Sequence, residues 1–190
     1  MKKTVLIVLA EGFEEIEAIT PTDVLRRAGV EVIVAGVGKR EVTGAHGITV
    51  ETDTLLEQYG EIPDALVLPG GMPGAENLQK SEALKTILQK MKKSNRLIGA
   101  ICASPAVVLA PNGVLDGKKA TCFPGFEEGL GPKVTFSEER VVCDGQVITS
   151  RGPGTAFEFS LELVSQLVGA EKASQLAQNL LLFMRRSITP

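Results

Sequence analysis

Cys102 is the residue of this sequence whose surroundings best suit covalent chemistry. It follows the apolar run 97–101, and the small residues Ala103 and Ser104 come directly after it. A buried strand, a sharp turn and a helix make a nucleophile elbow, which holds a reactive side chain at the top of a sheet. The N-terminus of a helix lowers the pKa of a thiol, and the N–H of Ala103 can donate to an oxyanion. We therefore predict an acidic, nucleophilic thiol at Cys102.

The other cysteines and the single histidine offer Cys102 no obvious partner. Cys122 and Cys143 lie in or beside strand patterns, which favours inert thiols. An odd number of widely spaced cysteines argues against a disulfide framework, and the lack of a C-x-x-C pair argues against zinc. His46 lies far from Cys102 in sequence and is interpreted as a surface residue, not as the base of a Cys–His dyad. We therefore expect no metal. No phosphate-binding glycine motif is present either, so we expect no cofactor.

Two further loops could complete a site around the cysteine. Glu14, Glu15 and Glu17 cluster where the first strand pattern gives way to a helix, and Gly70 and Gly71 directly follow another strand. A carboxyl that points into the crevice would be desolvated, and its raised pKa would let it donate a hydrogen bond to the sulfur. The residues alone leave open which of the three acids does so. The glycines let backbone N–H groups approach a crevice, but an ordinary tight turn explains them equally well.

The elements that must position these loops are strands alternating with helices. Apolar runs predict strands at residues 5–9, 32–35, 65–68, 97–101, 119–122 and 147–149. Helical spacing predicts helices at 15–28, 81–93 with Ser81 as N-cap, 155–168 with a capping box of Thr155 and Glu158, and 171–184. Residues 42–50 and 134–144 are expected to form extra strands or hairpins, Asp144-Gly145 a turn, and 185–190 a frayed tail.

This alternation predicts a single α/β domain over residues 1–190. Its sheet is mostly parallel and lies between helical layers, and its functional site lies beyond the carboxyl ends of the strands.

Length and composition exclude several classes of function. The 190 residues carry a net charge of −3, so there is no basic excess for binding nucleic acid or an acidic membrane. One tyrosine and no tryptophan make base-stacking platforms unlikely. The apolar run 4–10 leads straight into Glu11, which favours a buried first strand over a signal peptide, and no run approaches the ~20 apolar residues of a membrane span. We expect a cytoplasmic protein with a small-molecule substrate.

Motifs spread along essentially the whole chain resemble those of the ThiJ/PfpI superfamily, in particular its Parkinsonism-associated deglycase subfamily. The matching segments are residues 10–18, 23–29, 67–71 with 74–78, 100–103 with Pro105, and 149–155. The resemblance implies a flavodoxin-like three-layer α/β/α sandwich with a nucleophile elbow, and a homodimer.

The resemblance also implies roles for individual residues. Cys102 matches the family's reactive cysteine, which is readily oxidised to a sulfinate, and Glu17 matches the protonated glutamate that hydrogen-bonds to it. Gly71 and Ala103 match the backbone oxyanion donors.

A second group of matching residues is expected to bind the substrate. Arg26 and Arg151 match arginines near the pocket and the dimer interface, and Gly70 belongs to the glycine pair beside the cysteine. His46 falls where family members place a polar residue that reaches the partner's site.

Three positions depart from the family pattern. Phe123 stands where the human-type member has a histidine near the cysteine, so a mechanism with that histidine as general base does not transfer. Ser104 replaces the usual glycine or alanine and adds a hydroxyl close to the thiol. The superfamily's proteases usually carry a histidine where this chain has Ala103, which counts against peptidase activity.

Two functions remain open. In the first, the Cys102 thiolate attacks the aldehyde of an α-oxoaldehyde such as methylglyoxal, Gly71 and Ala103 stabilise the oxyanion, and Glu17 shuttles the proton. The product is a hydroxy acid, formed without glutathione, and the same chemistry on early glycation adducts is a deglycase activity. In the second, the chain is a non-enzymatic redox sensor or oxidation-activated chaperone that uses oxidation of Cys102.

Overall fold

A seven-stranded sheet forms the centre of the protein in a computed structural model that describes residues 2–182. The strands of the chain are β1 (Thr4–Leu9), β2 (Glu31–Gly36), β3 (Glu41–Thr43), β4 (Thr49–Glu51), β5 (Thr54–Leu55), β6 (Ala65–Leu68), β7 (Leu97–Ile101), β8 (Lys119–Ala120), β9 (Thr135–Phe136), β10 (Val141–Asp144) and β11 (Val147–Ser150). The strand order in the sheet is β10-β11-β7-β6-β1-β2-β5, and all neighbours are parallel except β10 and β11.

In the described part of the chain, five α-helices flank this sheet. They are α1 (Glu15–Arg27), α2 (Gly74–Lys80), α3 (Glu82–Lys93), α4 (Ala156–Val168) and α5 (Ala170–Asn179). Helix α1 packs against α4, α4 packs against α5, and α2 contacts the segment that follows β7. The central strands are apolar on both faces because helices cover both; every residue of β6 and β7 is buried. The predicted fold class, a mostly parallel sheet between helical layers, is confirmed.

Most of the predicted elements are present. The N-cap at Ser81 is confirmed, because its hydroxyl accepts a hydrogen bond of 3.2 Å from the N–H of Leu84. Strands β3 and β4 pair as the expected hairpin, and Asp144-Gly145 forms the turn between β10 and β11. Helix α2 was not among the predicted elements.

Three predicted elements differ in the structure. The strand at 119–122 shrinks to β8, which pairs with β9 outside the main sheet. The capping box is wrong: the Thr155 hydroxyl bonds Gly152 and Ser150 in the turn before α4, and so it does not cap the helix. Helix α5 ends at Asn179, whereas 171–184 was predicted, and the end of that range and the tail 185–190 lie outside the described residues.

Within residues 2–182 no helix has both the length and the apolar character needed to cross a bilayer.

Candidate active site

Loops at the carboxyl ends of four neighbouring strands meet around Cys102. The N–H of Cys102, after β7, donates to the carbonyl of Ser150 at the end of β11, with an N–O distance of 2.9 Å. The N–H of Glu14, after β1, donates at 3.0 Å to the carbonyl of Gly70, after β6. Parallel neighbours bring these ends to one edge of the sheet, which is where the sequence predicted a site.

Cys102 forms the predicted nucleophile elbow. Its φ of +66° lies in the left-handed region, which a non-glycine residue adopts only when its surroundings hold it there. The residue is 8% exposed, so the thiol is nearly enclosed by the surrounding loops. A helix was predicted directly after Cys102. The structure has a single π-helical turn there, Pro105–Leu109, preceded by Ala103 and Ser104.

Glu17 is the acid that points at the cysteine. Its side chain is fully buried, and its Oε2 accepts a 2.8 Å hydrogen bond from the N–H of Gly70. The carboxyl is also within hydrogen-bonding reach of the Cys102 thiol. The other carboxyl oxygen, Oε1, is buried without a hydrogen-bond partner among the described residues. Glu17 therefore has one oxygen fixed beside the sulfur and one buried oxygen that no described residue satisfies.

Glu17 and Cys102 both have raised pKa values, and a negative charge on one disfavours ionisation of the other. Burial raises the pKa of Glu17 to about 7. Burial, and then the negative charge of Glu17, raise the pKa of the Cys102 thiol to about 12. The predicted acidic thiol is therefore wrong for the state in which Glu17 is ionised, because one short helical turn does not offset desolvation of the thiolate. The pair binds one proton in common, and the thiolate forms when that proton moves to Glu17.

Two backbone N–H groups lie close to the sulfur. Those of Gly71 and Ala103 both bond towards the thiol and lower its pKa against the effect of burial. Gly70 is equally close: a methyl group on its Cα would lie 2.6 Å from Cβ of Cys102 and 2.9 Å from Oε2 of Glu17. Only glycine fits at this position, so the close approach of β6 to the elbow depends on it.

The Ser104 hydroxyl does not act on the thiol. It is fully buried and donates a 2.5 Å hydrogen bond to the carbonyl of Pro69. This bond ties the elbow to the neighbouring loop and is a structural contact.

His46 belongs to a separate cluster at the loop that joins β3 and β4. Its Nδ1 lies 2.9 Å from Oε2 of Glu15 and 3.6 Å from Oε2 of Glu14, and the ring is largely exposed. Glu15 is buried, and its Oε1 accepts from the N–H of His46 at 2.7 Å. The donor atoms of these three residues lie within 4.8 Å of one another, close enough for a metal ion. Because Glu15 is already satisfied by the hairpin, we interpret the cluster as an ion pair that anchors this loop.

The two candidate arginines contact residues other than Cys102 in the single chain. The Arg26 guanidinium donates to the carbonyl of Val32 at 3.2 Å and to Asp53 at 3.4 Å, and its role in substrate binding stays a prediction. The Arg151 guanidinium stacks over the ring of Phe136, with 5.9 Å between Cζ and the ring centroid. Burial raises the pKa of Cys122 to about 11, and the positive charge of Arg151 offsets part of that rise.

Phe123 lies beside the elbow, at the position where the resemblance places a residue near the cysteine. Its N–H donates a 2.8 Å hydrogen bond to the carbonyl of Cys102, which fixes the segment after β8 beside the elbow. Its ring lies against Gly152 and is 39% exposed. The signal in the sequence was the replacement of the family histidine, but a replacement does not tell where the new side chain lies.

Known proteins are similar to this chain in both sequence and structure. A family model described as the DJ-1/PfpI family matches residues 3–166. The chain is 46% identical over 177 residues to "Protein DJ-1 homolog B" of Arabidopsis thaliana, covering 92% of this chain and 40% of that protein, so it spans less than half the length of that relative. It is 39% identical over 186 residues to "Glutathione-independent glyoxalase DJR-1.2" of Caenorhabditis elegans, covering 95% and 97% of the two chains. The solved structure "Toxoplasma gondii DJ-1, oxidized" superimposes with a TM-score of 0.91 at 42% identity, covering 94% and 98%.

Proposed function

This chain belongs to the DJ-1/PfpI family, and from that premise we propose that it is a cofactor-free enzyme that converts small α-oxoaldehydes such as methylglyoxal to 2-hydroxy acids. The observation that carries the proposal is the buried pair of Cys102 and Glu17, with Oε1 of Glu17 unpartnered and two N–H groups aimed at the sulfur. A nucleophile, an acid–base group and oxyanion donors within one crevice are what this reaction needs.

The first step forms a carbon–sulfur bond. With the shared proton on Glu17, the Cys102 thiolate attacks the aldehyde carbon and its carbonyl oxygen becomes an alkoxide. The N–H groups of Gly71 and Ala103 stabilise this alkoxide, which then takes the proton from Glu17 to give a neutral hemithioacetal. Glu17 is left as a carboxylate, ready to act as a base.

The second step moves hydrogen between the two carbons. The Glu17 carboxylate removes the hydrogen from the former aldehyde carbon as a proton, and the electron pair forms an enediolate. Glu17 returns the proton to the neighbouring carbon, and the hydroxyl proton of the first carbon passes to the second oxygen, which gives a thioester of the 2-hydroxy acid. Water then attacks the thioester while the Glu17 carboxylate takes one of its protons. The sulfur of Cys102 leaves as thiolate and the 2-hydroxy acid is released, which restores the starting state.

The relative named as a glutathione-independent glyoxalase supports this reaction class. The same attack on the carbonyl of an early glycation adduct would be a deglycase activity. The mechanism needs a free thiol, and Cys102 is free, which suits a reducing compartment such as the cytoplasm.

We propose that the enzyme is a homodimer. Large apolar side chains that monomers usually bury are exposed on α1, on the β3–β4 hairpin and on α4, namely Ile16, Ile19, Ile48 and Phe157. Helices α1 and α4 pack side by side, so they can present one continuous face to a second copy.

The test is turnover of methylglyoxal without glutathione. We expect the wild-type chain to produce lactate and Cys102→Ser to lose this activity. Cys122→Ser removes another buried thiol and should retain this activity. Equal activity in Cys102→Ser and wild type, or none in wild type, would refute the proposal.

One observation favours a redox sensor as a second candidate. A structural relative is described as oxidized, and the thiol here is reachable although only slightly exposed. A sensor or oxidation-activated chaperone would form no lactate, and limited peroxide would place its first oxygens on Cys102 before the exposed Cys143. Lactate formation over many turnovers separates the enzyme from the sensor.

A further inference from the structure

We propose that the protein has a second binding site, for a small phosphate monoester, at the edge of the sheet opposite Cys102. The site is a cavity of about 290 Å³ at the amino ends of β7 and β11. The inference goes beyond the proposed function and does not depend on it. It rests on three features of the cavity: its size, the placement of its lysines, and the excess of positive charge around it.

The apolar part of the cavity lining comes from the beginnings of two neighbouring strands. Ile98 of β7 and Val147 of β11 line it together with Val114, and all three are buried. Cys102 follows the other end of β7, so the length of that strand separates the cavity from the candidate active site. Ligand pockets usually measure about 300–1,000 Å³, so a cavity at the lower end of this range accepts only a small ligand.

Two lysines hold ammonium groups at the wall of this cavity. Nζ of Lys92 donates a 2.6 Å hydrogen bond to the carbonyl of Gly113. Nζ of Lys118 donates a 3.2 Å bond to the carbonyl of Asp144, whose Oδ1 is 3.8 Å away. A methyl group on the Cα of Gly113 or of Gly145 would lie 3.5 Å from the nearer ammonium, so the absence of side chains there keeps both groups accessible. Each ammonium has three N–H donors, which leaves donors for a ligand.

The charge around the cavity is positive, although the whole chain carries −3. Arg96 is a third cation of the lining, and it shares Asp64 with Lys3, at distances of 2.7 and 3.4 Å. Asp116 is the acid of the lining, and it is paired with Lys133 at 2.8 Å. Because these acids already have cations of their own, the two ammonium groups of the wall favour an anion.

A phosphate monoester suits these donors better than a carboxylate does. It carries up to two negative charges and three terminal oxygens, so it can accept hydrogen bonds from Lys92 and Lys118 together. Lysine is a common phosphate ligand because its ammonium acts as a point charge. An organic body of about three carbons would occupy the rest of the cavity, against the apolar side chains of β7 and β11.

Two-dimensional NMR of the backbone amides can follow titrations with glycerol 3-phosphate, glycerate and glycerol. We expect glycerol 3-phosphate to bind with a Kd below about 1 mM and to shift the signals of Gly113 and Gly145, with that of Ala103 unchanged. Glycerate should bind at least about tenfold more weakly, and glycerol should not bind.

Substitution of the lysines tests the site directly. Lys92→Gln and Lys118→Gln each remove one ammonium and should each raise the Kd about tenfold, whereas Lys92→Arg keeps the charge and should bind within about threefold of wild type. Lys93→Gln, at the next residue of α3 and outside the cavity lining, is the matched control and should bind like wild type.

The same spectra show whether each variant is folded, and Lys118→Gln gives the same comparison if Lys92→Gln is not. All these variants should still form lactate from methylglyoxal, because none of them changes the candidate active site. The inference would be overturned if glycerol 3-phosphate caused no saturable shift at Gly113 and Gly145, if glycerate bound equally well, or if the folded glutamine variants kept the wild-type affinity.

Discussion

Replacing Glu17 with glutamine should change how the stability of the protein depends on pH. In the folded chain burial raises the pKa of this carboxyl from 4.5 to about 7. Between these values the folded state binds more protons than the unfolded state, so the free energy of unfolding falls as pH rises. At 1.36 kcal/mol per pKa unit, the stability lost by pH 8 is about 3 kcal/mol. Glutamine cannot ionise, and its amide oxygen can still accept from the N–H of Gly70.

Urea denaturation of both proteins from pH 4 to pH 8 measures this effect. We expect the free energy of unfolding of Glu17→Gln, relative to that of wild type, to be about 3 kcal/mol higher at pH 8 than at pH 4. Most of this change should fall between pH 5 and 7. Glu82→Gln, at a carboxyl whose side chain is 84% exposed, should follow wild type throughout. A stability difference between Glu17→Gln and wild type that stays constant over this range would show that Glu17 is not a buried, proton-binding group.

Three further substitutions test the packing and assembly of the site. Gly70→Ala puts a methyl group 2.6 Å from Cβ of Cys102, so it should cost about 1–3 kcal/mol and abolish lactate formation, whereas Gly60→Ala meets nothing within 4 Å and should do neither. Ser104→Ala leaves a buried carbonyl unpaired, so denaturation should show a loss of about 1–3 kcal/mol with turnover retained; lost turnover at unchanged stability would instead give the hydroxyl a chemical role. In sedimentation the wild type should have about twice the 20.1 kDa chain mass and Ile16→Glu a single chain mass, and a wild-type monomer would contradict the dimer.

The parts of the site that follow from local pattern could be predicted from the sequence. The apolar run before Cys102 and the small residues after it are enough to indicate a buried strand and an elbow. The glycine pair after β6 is adjacent in sequence to its strand, so its place at the same edge follows from parallel topology.

The remaining features depend on packing between distant segments. The spacing of Glu14, Glu15 and Glu17 does not indicate which acid points at Cys102. That depends on how α1 is rotated relative to the N–H of Gly70. The prediction of an acidic thiol at Cys102 was wrong because the thiol pKa depends on burial and on a helix that ends after one turn. The strand pattern does not indicate where the side chains of Arg151 and Phe123 lie. Their positions depend on long-range contacts, of Arg151 with Phe136 and of Phe123 with Gly152.

The most direct test of the account is to count turnovers in a reaction without glutathione. The purified chain is mixed with a large excess of methylglyoxal, and proton NMR follows the loss of the aldehyde and the appearance of lactate. The account predicts that lactate accumulates in step with aldehyde loss, far beyond one equivalent per chain, and that Cys102→Ser forms none above the buffer control. Consumption of no more than one equivalent per chain, with no lactate, would mean that Cys102 is only modified by the aldehyde and would contradict an enzyme.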